Sequence, residues 1–135
     1  MPRKINCILL VDDDPDDNFL HKLIIEESGL CDCVCIAENG LQALELLKNT
    51  ESDCYLRPEV ILLDINMPGM NGFEFLEEYE KLPPEQKARV VLMMLTTSLN
   101  PDDERRAREF GDVSGYRSKP LTRDMLDDVV KKYFP

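Results

Sequence analysis

The chain is 135 residues long and 43% of its residues are hydrophobic, which fits one domain with a sizeable core. Its formal charge of −11 repels phosphate backbones and argues against nucleic-acid binding. No apolar run approaches the roughly 20 residues that span a bilayer, and the apolar stretch near the N-terminus is too short for a signal peptide. We therefore expect one cytoplasmic domain over residues 1–135, with no nucleic-acid or membrane partner.

The first third of the chain alternates apolar runs with helical patterns. The run Ile5–Val11 predicts a buried strand, and Asp14-Pro15 predicts the start of a helix that ends at Gly29. Cys31–Ala37 predicts a second strand, and Asn39-Gly40 the start of a second helix. Apolar spacing predicts the inward residues of the two helices: Phe19, Leu20, Leu23 and Ile24 in the first, and Leu41, Leu44 and Leu47 in the second.

The same alternation continues to the C-terminus. Residues Asn49–Pro58 predict a loop, and three more strands are predicted after it, at Val60–Leu63, Val90–Leu95 and Val113–Ser118. Each is followed by a predicted helix, and the helices begin near Asn71-Gly72, Asn100-Pro101 and Thr122. The helix after Asn100 has few apolar residues, and so thin an apolar face makes it a candidate for movement.

This alternation predicts the fold class. Five strands alternating with five helices form a parallel sheet that is covered on both faces. Right-handed crossovers narrow the topology to a doubly wound α/β fold with the flavodoxin-like strand order 2-1-3-4-5. In such sheets the functional groups lie at the carboxyl ends of the strands.

Acidic and polar residues stand where the predicted strands end. Asp12 and Asp13 follow the first strand, Asp64 the third and Thr96 the fourth, while the fifth runs to Lys119. Three carboxylates in one place repel one another and need a cation, and oxygen ligands without histidine or cysteine favour Mg²⁺. The set suits phosphoryl transfer, with Asp64 as nucleophile, Asp12 and Asp13 as metal ligands, and Lys119 and Thr96 contacting phosphoryl oxygens.

Four segments resemble the receiver domains of two-component response regulators, and in particular the single-domain chemotaxis regulators. They are VDDDP at Val11–Pro15, LLDINMPGMNG at Leu62–Gly72, LTTS at Leu95–Ser98 and GYRSKP at Gly115–Pro120. Together with the alternating elements, the resemblance covers essentially the whole chain. All four segments in family order and spacing are far more specific than any one of them.

The resemblance implies a role for each matching residue. Carried over by position, the roles are phosphorylation of Asp64, Mg²⁺ binding by Asp12, Asp13, Asp64 and the backbone carbonyl of Asn66, a switch hydroxyl at Thr96, a rotamer change at Tyr116, and a cis bond at Lys119-Pro120. A histidine kinase or histidine phosphotransfer protein would supply the phosphoryl group. Helix four, strand five and helix five would bind an unknown downstream protein. We expect no output domain, and no catalysis beyond self-phosphorylation and slow autodephosphorylation.

The switch hydroxyl has two candidates. Counting forward to Gly111 favours Thr96, whereas counting back from Lys119 favours Thr97, because Gly111–Tyr116 is one residue longer than usual in the family. Thr96 is preferred, since it directly follows the apolar strand. Residues two beyond the phosphorylated and switch positions, Asn66 and Ser98, are expected to tune the lifetime of the phosphate.

Three other functions fit parts of the pattern. The main alternative is a docking module of the same fold that works without phosphorylation, although such modules usually lose some of the residues that are intact here. A metal-dependent phosphohydrolase would need a general acid where Asn66 stands, and a cap domain. A flavin site would need a phosphate-binding loop where Val11–Asp14 is strongly anionic.

The cysteines and the only histidine carry weaker signals. Cys31, Cys33 and Cys35 alternate, so a strand would place all three on one face. A soft-metal site is the alternative to small apolar packing residues, but no second cysteine or histidine cluster supplies the remaining ligands, and packing is predicted. His21 is predicted to occupy a solvated helix position, and Asp16-Asp17 a solvated first turn of the same helix.

Overall fold

The computed structural model describes residues 4–49, 58–67, 69–97 and 100–134. Strands and helices alternate in the order β1 (Ile5–Val11), α1 (Pro15–Ser28), β2 (Cys31–Ala37), α2 (Gly40–Lys48), β3 (Val60–Asp64), α3 (Gly72–Glu80), β4 (Val91–Thr96), α4 (Pro101–Arg108), β5 (Gly115–Ser118) and α5 (Arg123–Tyr133). A short 3-10 turn, Pro84–Gln86, precedes β4. None of the helices in the described ranges is long and apolar enough to cross a membrane.

The five strands form one parallel sheet in the order β2-β1-β3-β4-β5, which confirms the predicted doubly wound fold and strand order. Every residue of the inner strands β3 and β4 is buried, as expected for parallel strands covered on both faces. The register pairs Val11 with Leu63, and Asp64 with Leu95. The residues that follow β1, β3 and β4 therefore meet at one edge of the sheet.

The core has two halves, one on each face of the sheet. Helices α2, α3 and α4 contribute to the half that contains Leu9 and Leu63, whereas α1 and α5 contribute to the half that contains Leu10 and Leu62. Successive strand residues point to opposite faces, so each inner strand supplies both halves. This arrangement places α1 and α5 together behind the sheet, and α4 on the other face beside β5.

Several predicted boundaries differ from the structure. β4 begins at Val91 and includes Thr96, and β3 extends to Asp64. β5 begins at Gly115 and not at Val113, because the N–H of Val113 donates to the carbonyl of Phe110 in the turn that follows α4. Val113 is apolar like a strand residue, so the sequence pattern included it in β5 although the strand begins at Gly115.

The inward face of α1 differs from the predicted one, of which only Ile24 packs against the core. The side chains expected inside, Phe19, Leu20 and Leu23, are 70%, 41% and 40% exposed, and in α2 Leu41 is likewise exposed. In α1 Asn18, His21 and Ile25 are buried instead. Asn18 Nδ2 donates to the carbonyl of Asp12 at 2.8 Å, and the N–H of Leu121 donates to His21 Nε2 at 3.2 Å. The solvated position predicted for His21 is therefore wrong, because its ring satisfies a buried backbone donor.

Asn71 caps α3 with a reciprocal pair of hydrogen bonds. The N–H of Glu74 donates to Asn71 Oδ1 at 2.9 Å, and the N–H of Asn71 donates to Glu74 Oε1 at 3.1 Å. Asn71→Ala is expected to lower the free energy of unfolding by about 1 kcal/mol, measured by chemical denaturation. Glu77→Ala, at an exposed position of the same helix, is the control and should change stability by less than about 0.5 kcal/mol. Equal losses in the two variants would contradict the capping role.

Candidate functional site

The carboxyl ends of β1, β3 and β4 open into a cleft of about 210 Å³. Its lining residues are Asp12, Asp13, Asp14, Asp17, Asp64, Asn66, Thr97 and Lys119. The structure therefore brings together most of the residues that were predicted to form the site because they follow the ends of strands. Thr96 and Tyr116 do not line this cleft, and Ser98 lies outside the described residues.

Three carboxylates converge in the cleft. Asp12, Asp13 and Asp64 each offer an oxygen that lies within 4.8 Å of the oxygens of the other two. Asp12 and Asp64 are buried and Asp13 is exposed, so the group is fixed on one side and open to solvent on the other. The N–H of Asp14 donates to Asp12 Oδ1 at 3.0 Å and orients that carboxylate. Such an all-oxygen donor set fits a hard divalent cation such as Mg²⁺.

Lys119 places a positive charge against these acids. Its Nζ lies 2.6 Å from Asp12 Oδ2, 2.8 Å from Asp17 Oδ2 and 3.4 Å from Asp64 Oδ1. Burial alone would lower the pKa of Lys119, but the hydrogen bonds to Asp12 and Asp17 outweigh it and raise the pKa. The N–H of Lys119 donates to the carbonyl of Thr96 at 2.7 Å, and the Lys119–Pro120 bond is cis, as predicted. The ammonium is thus held in the cleft, and it stays charged at physiological pH.

The pKa of the Asp64 carboxyl group is higher than that of an ordinary aspartate. Burial and the charge of Asp12 raise its pKa to about 6, against the opposing effects of Lys119 and a hydrogen bond from the Asn66 backbone. At pH 7 the side chain is still mostly ionised, which is the nucleophilic form of a carboxyl group. A buried carboxylate at a strand end with a fixed ammonium beside it is a functional-site candidate on physical grounds.

The turn after Asp64 requires glycine at position 72. A Cβ there would lie 2.7 Å from the carbonyl oxygen of Asp64 and 2.8 Å from Cα of Ile65, and both are backbone atoms that cannot move aside alone. The N–H of Gly72 donates to the carbonyl of Ile65 at 2.8 Å. Gly69, in the same turn, has a φ of +79°, in the left-handed region that favours glycine. These contacts hold the backbone of Asp64 against the start of α3.

The two threonine candidates for the switch lie in different surroundings. Thr96 is 2% exposed and lies on the same face of β4 as Met94, the residue that pairs with Tyr116. Thr97 is exposed and lines the cleft. Tyr116 is half-buried, and its hydroxyl has no hydrogen-bond partner in the described part of the chain. Thr96 is therefore near the aromatic ring, and Thr97 is in the cleft.

Sequence reasoning missed two contacts made by α1. Asp17 was predicted to be solvated, but it accepts a hydrogen bond from Lys119, so it limits where the ammonium can move. His21 accepts from Leu121, two residues after Lys119; burial and the lysine charge lower its pKa, in keeping with an unprotonated Nε2. The sequence does contain a feature that could have predicted the contact of Asp17. This residue is in the first turn of α1, which follows Asp12 and Asp13 and therefore begins at the same edge of the sheet as the cleft.

Comparison with known proteins identifies the family. Residues 8–131 match the family model of the response regulator receiver domain. The chain belongs to this family. Receiver domains are signalling modules of two-component and phosphorelay systems, where they interact with histidine kinases or phosphotransfer proteins, and they bind a divalent cation at an acidic pocket. The aspartate cluster of this receiver domain fits such a cation.

This receiver domain spans nearly the whole length of some similar proteins and only a part of others. It is 32% identical to sporulation initiation phosphotransferase F of Bacillus subtilis over 95% of this chain and 93% of that protein. It is 34% identical to protein-glutamate methylesterase/protein-glutamine glutaminase 3 of Burkholderia thailandensis over 84% of this chain, but it spans only 29% of that protein. Receiver domains are in general not enzymes themselves, and the other domains of such longer proteins carry the enzyme activity.

Solved structures show the same architecture. A two component response regulator from Cytophaga hutchinsonii has a TM-score of 0.86 and 33% identity, over 96% of this chain and 97% of that one. The Mn²⁺-bound form of response regulator Rcp1, a protein of Synechocystis, has a TM-score of 0.72 and 32% identity, over 93% and 90% of the two chains. That relative therefore holds a divalent cation in a fold that superposes on this one.

Proposed function

We propose that this receiver domain accepts a phosphoryl group on Asp64, with Mg²⁺ bound beside it, and thereby switches a partner-binding surface. The donor would be a histidine kinase or a histidine phosphotransfer protein. The observation that carries the proposal is the convergence of three carboxylates and a fixed ammonium, with Lys119 Nζ 3.4 Å from Asp64 Oδ1. A docking module that never accepts a phosphoryl group has no need of this charge arrangement.

In the proposed reaction, a carboxylate oxygen of Asp64 attacks the phosphorus of a phosphohistidine. A P–O bond forms, the P–N bond breaks, and the imidazole leaves with a proton from solvent. Lys119 would donate to phosphoryl oxygens where negative charge gathers. Asp12, Asp13, Asp64 and the carbonyl of Asn66 would hold the Mg²⁺, which neutralises charge between acceptor and phosphoryl oxygens when bound. The chain would modify itself and turn over no outside substrate.

Incubation with acetyl phosphate, with and without Mg²⁺, tests the proposal by intact mass and peptide mapping. We expect a Mg²⁺-dependent gain of one phosphoryl group on Asp64 that is absent from Asp64→Asn. Asp16→Asn is the matched control, because Asp16 is exposed and does not line the cleft. A folded wild-type protein that gains nothing would favour the docking module, and a gain that persists in Asp64→Asn would assign another acceptor.

The switching surface would comprise α4, β5 and α5. α4 is weakly anchored, since Ala107 is its one buried residue. The guanidinium of Arg106 lies 4.3 Å from the centre of the Phe73 ring and adds one contact with α3. A cavity of about 190 Å³ lies between α4 and β5 beside Tyr116. Phosphorylation would draw the hydroxyl of Thr96 towards the phosphoryl group, let Tyr116 turn into the vacated space, and shift α4.

Single alanine variants separate the two threonines. Thr96→Ala is expected to keep phosphorylation of Asp64 but to abolish the change that phosphorylation causes in the NMR signals of Tyr116 and α4. Thr97→Ala should retain that change, because Thr97 lies in the cleft and not on the face shared with Tyr116. The reverse result would make Thr97 the switch residue.

Reversal of charge at Arg105 and Arg106 should weaken binding of the downstream partner.

A further inference from the structure

A second group of potential ligands lies on β1 and β2, away from the cleft. The Sγ atoms of Cys7, Cys33 and Cys35 lie within 4.8 Å of one another, and those of Cys7 and Cys35 are 3.8 Å apart. Cys7 precedes Asp12 by about 16 Å of extended strand, so this cluster is separate from the acidic one. Nothing in the proposed phosphoryl chemistry uses these thiols.

Strand pairing creates the cluster. Cys7 pairs with Cys33 in the register of β1 and β2, and Leu9 pairs with Cys35, so alternation puts all three thiols on one face. Cys31 was predicted to share that face, but its Sγ donates to the carbonyl of Cys33 at 3.0 Å and it packs against the other half of the core. The third thiol of the group is thus Cys7, from the neighbouring strand.

The spacing of the sulfurs suits a shared cation. Two thiolates bound at about 2.3 Å to one ion lie about 3.8 Å apart at a tetrahedral angle and about 4.0 Å apart at the trigonal angle of a three-coordinate ion. The 3.8 Å between Cys7 and Cys35 is close to both values. Among the described residues, no fourth cysteine, histidine or carboxylate is grouped with the three. Structural zinc sites take four ligands, whereas Cu(I) is a soft cation that thiolates select. Three sulfurs alone therefore favour Cu(I).

A disulfide between Cys7 and Cys35 is the competing chemistry. Cys7 is 2% exposed, which limits access by an oxidant. A soft cation would supply the positive charge that buried thiolates lack, and the displaced thiol protons would pass to solvent.

We propose that Cys7, Cys33 and Cys35 bind one Cu(I) ion through three sulfur ligands. The ion would tie the edge strand β2 to β1. Cys33 and Cys35 are half-buried on this edge strand, so a small cation can reach them from solvent. The site would work independently of phosphorylation, because it shares no ligand with the aspartate cluster.

Anaerobic titration of the reduced full chain with Cu(I), against a chromophoric Cu(I) chelator, tests the site. We expect one equivalent to be retained with sulfur-only coordination in X-ray absorption spectra. Cys33→Ser and Cys35→Ser should weaken binding at least as much as the roughly 10- to 100-fold loss that removal of a supporting group causes. Cys31→Ser is the matched control on the same strand and should bind normally, as should Asp64→Asn.

Three results would overturn the proposal. The first is a wild-type protein that retains no Cu(I) against the chelator. The second is an equal loss in Cys31→Ser and Cys33→Ser, which would indicate unspecific thiol binding. The third is tighter binding of Zn²⁺ than of Cu(I) in a parallel titration, which would make the site a zinc site. Circular dichroism of Cys33→Ser and Cys35→Ser checks folding, and neither position is fully buried.

Discussion

Lys119→Met is expected to lower the free energy of unfolding of the metal-free protein by about 3–5 kcal/mol. The lysine side chain is 8% exposed, and the side chains of its partners Asp12 and Asp64 are each 6% exposed, so solvent screens these charges little. Removal of the ammonium leaves two buried carboxylates facing each other without a compensating charge. The loss measures the penalty of uncompensated burial, which exceeds the net contribution of the ion pair itself.

Lys87→Met is the matched control for this variant. Lys87 pairs with Asp112 at 3.2 Å, near the amino end of β4, and the two side chains are 21% and 28% exposed. Partial exposure screens that pair, so a loss of no more than about 1 kcal/mol is expected. Both variants are compared by denaturant unfolding at pH 7 with a chelator present.

Equal losses in the two lysine variants would contradict the role assigned to Lys119 in the cleft. Addition of Mg²⁺ should restore part of the stability of Lys119→Met but not of Lys87→Met. A cation that binds the folded state and not the unfolded chain stabilises it by mass action, and only the first variant has lost a positive charge beside the aspartate cluster.

The fold was predictable because each element carries a local signal. Apolar runs that end in an acidic or hydroxyl residue mark the inner strands, and caps such as Asn71 mark the helix starts. The inward face of α1 was not predictable in the same way. Buried Asn18 bonds to the carbonyl of Asp12 just before the helix, and buried His21 bonds to the N–H of Leu121, which is far along the chain. A single sequence does not show which backbone donors and acceptors need a side-chain partner.

The convergence of the cleft residues was predictable from one geometric rule. Parallel strands that end at one edge bring their following residues together, and this places Asp12, Asp64 and Lys119 side by side. The rule says nothing about α1, which is why the contact of Asp17 with Lys119 was missed. Cys7 was missed for a related reason: its proximity to Cys35 depends on the register of two strands, and spacing along the chain does not give that register.

Asp64→Asn is expected to stabilise the metal-free protein at pH 7. Burial and the charge of Asp12 raise the pKa of Asp64 from an ordinary 3.8 to about 6. This difference corresponds to a penalty of about 3 kcal/mol for the ionised form in the folded state. Asparagine occupies the same volume without the charge, so a gain of about 1–3 kcal/mol is expected.

The pH dependence identifies the cause of this gain. The folded state holds the Asp64 proton more tightly than the unfolded chain does, so the wild-type protein loses stability as the pH rises from 3.8 through about 6. Above that range the penalty is fully present, and below it the carboxyl group is protonated in both states. The difference in unfolding free energy between Asp64→Asn and wild type should therefore be near zero at the acid end and reach its full size above pH 6.

Asp32→Asn is the control, because Asp32 pairs with Lys4 at 3.6 Å on the surface, where both side chains are more than half exposed. Its stability should stay within about 0.5 kcal/mol of the wild type at every pH. A destabilised Asp64→Asn at pH 7 would mean that attraction to Lys119 outweighs burial. If Asp64→Asn is more stable than the wild type and is no longer phosphorylated, Asp64 is needed for the chemistry although it destabilises the fold. That combination separates the proposed phosphoacceptor from a docking module, in which nothing would maintain a destabilising acid.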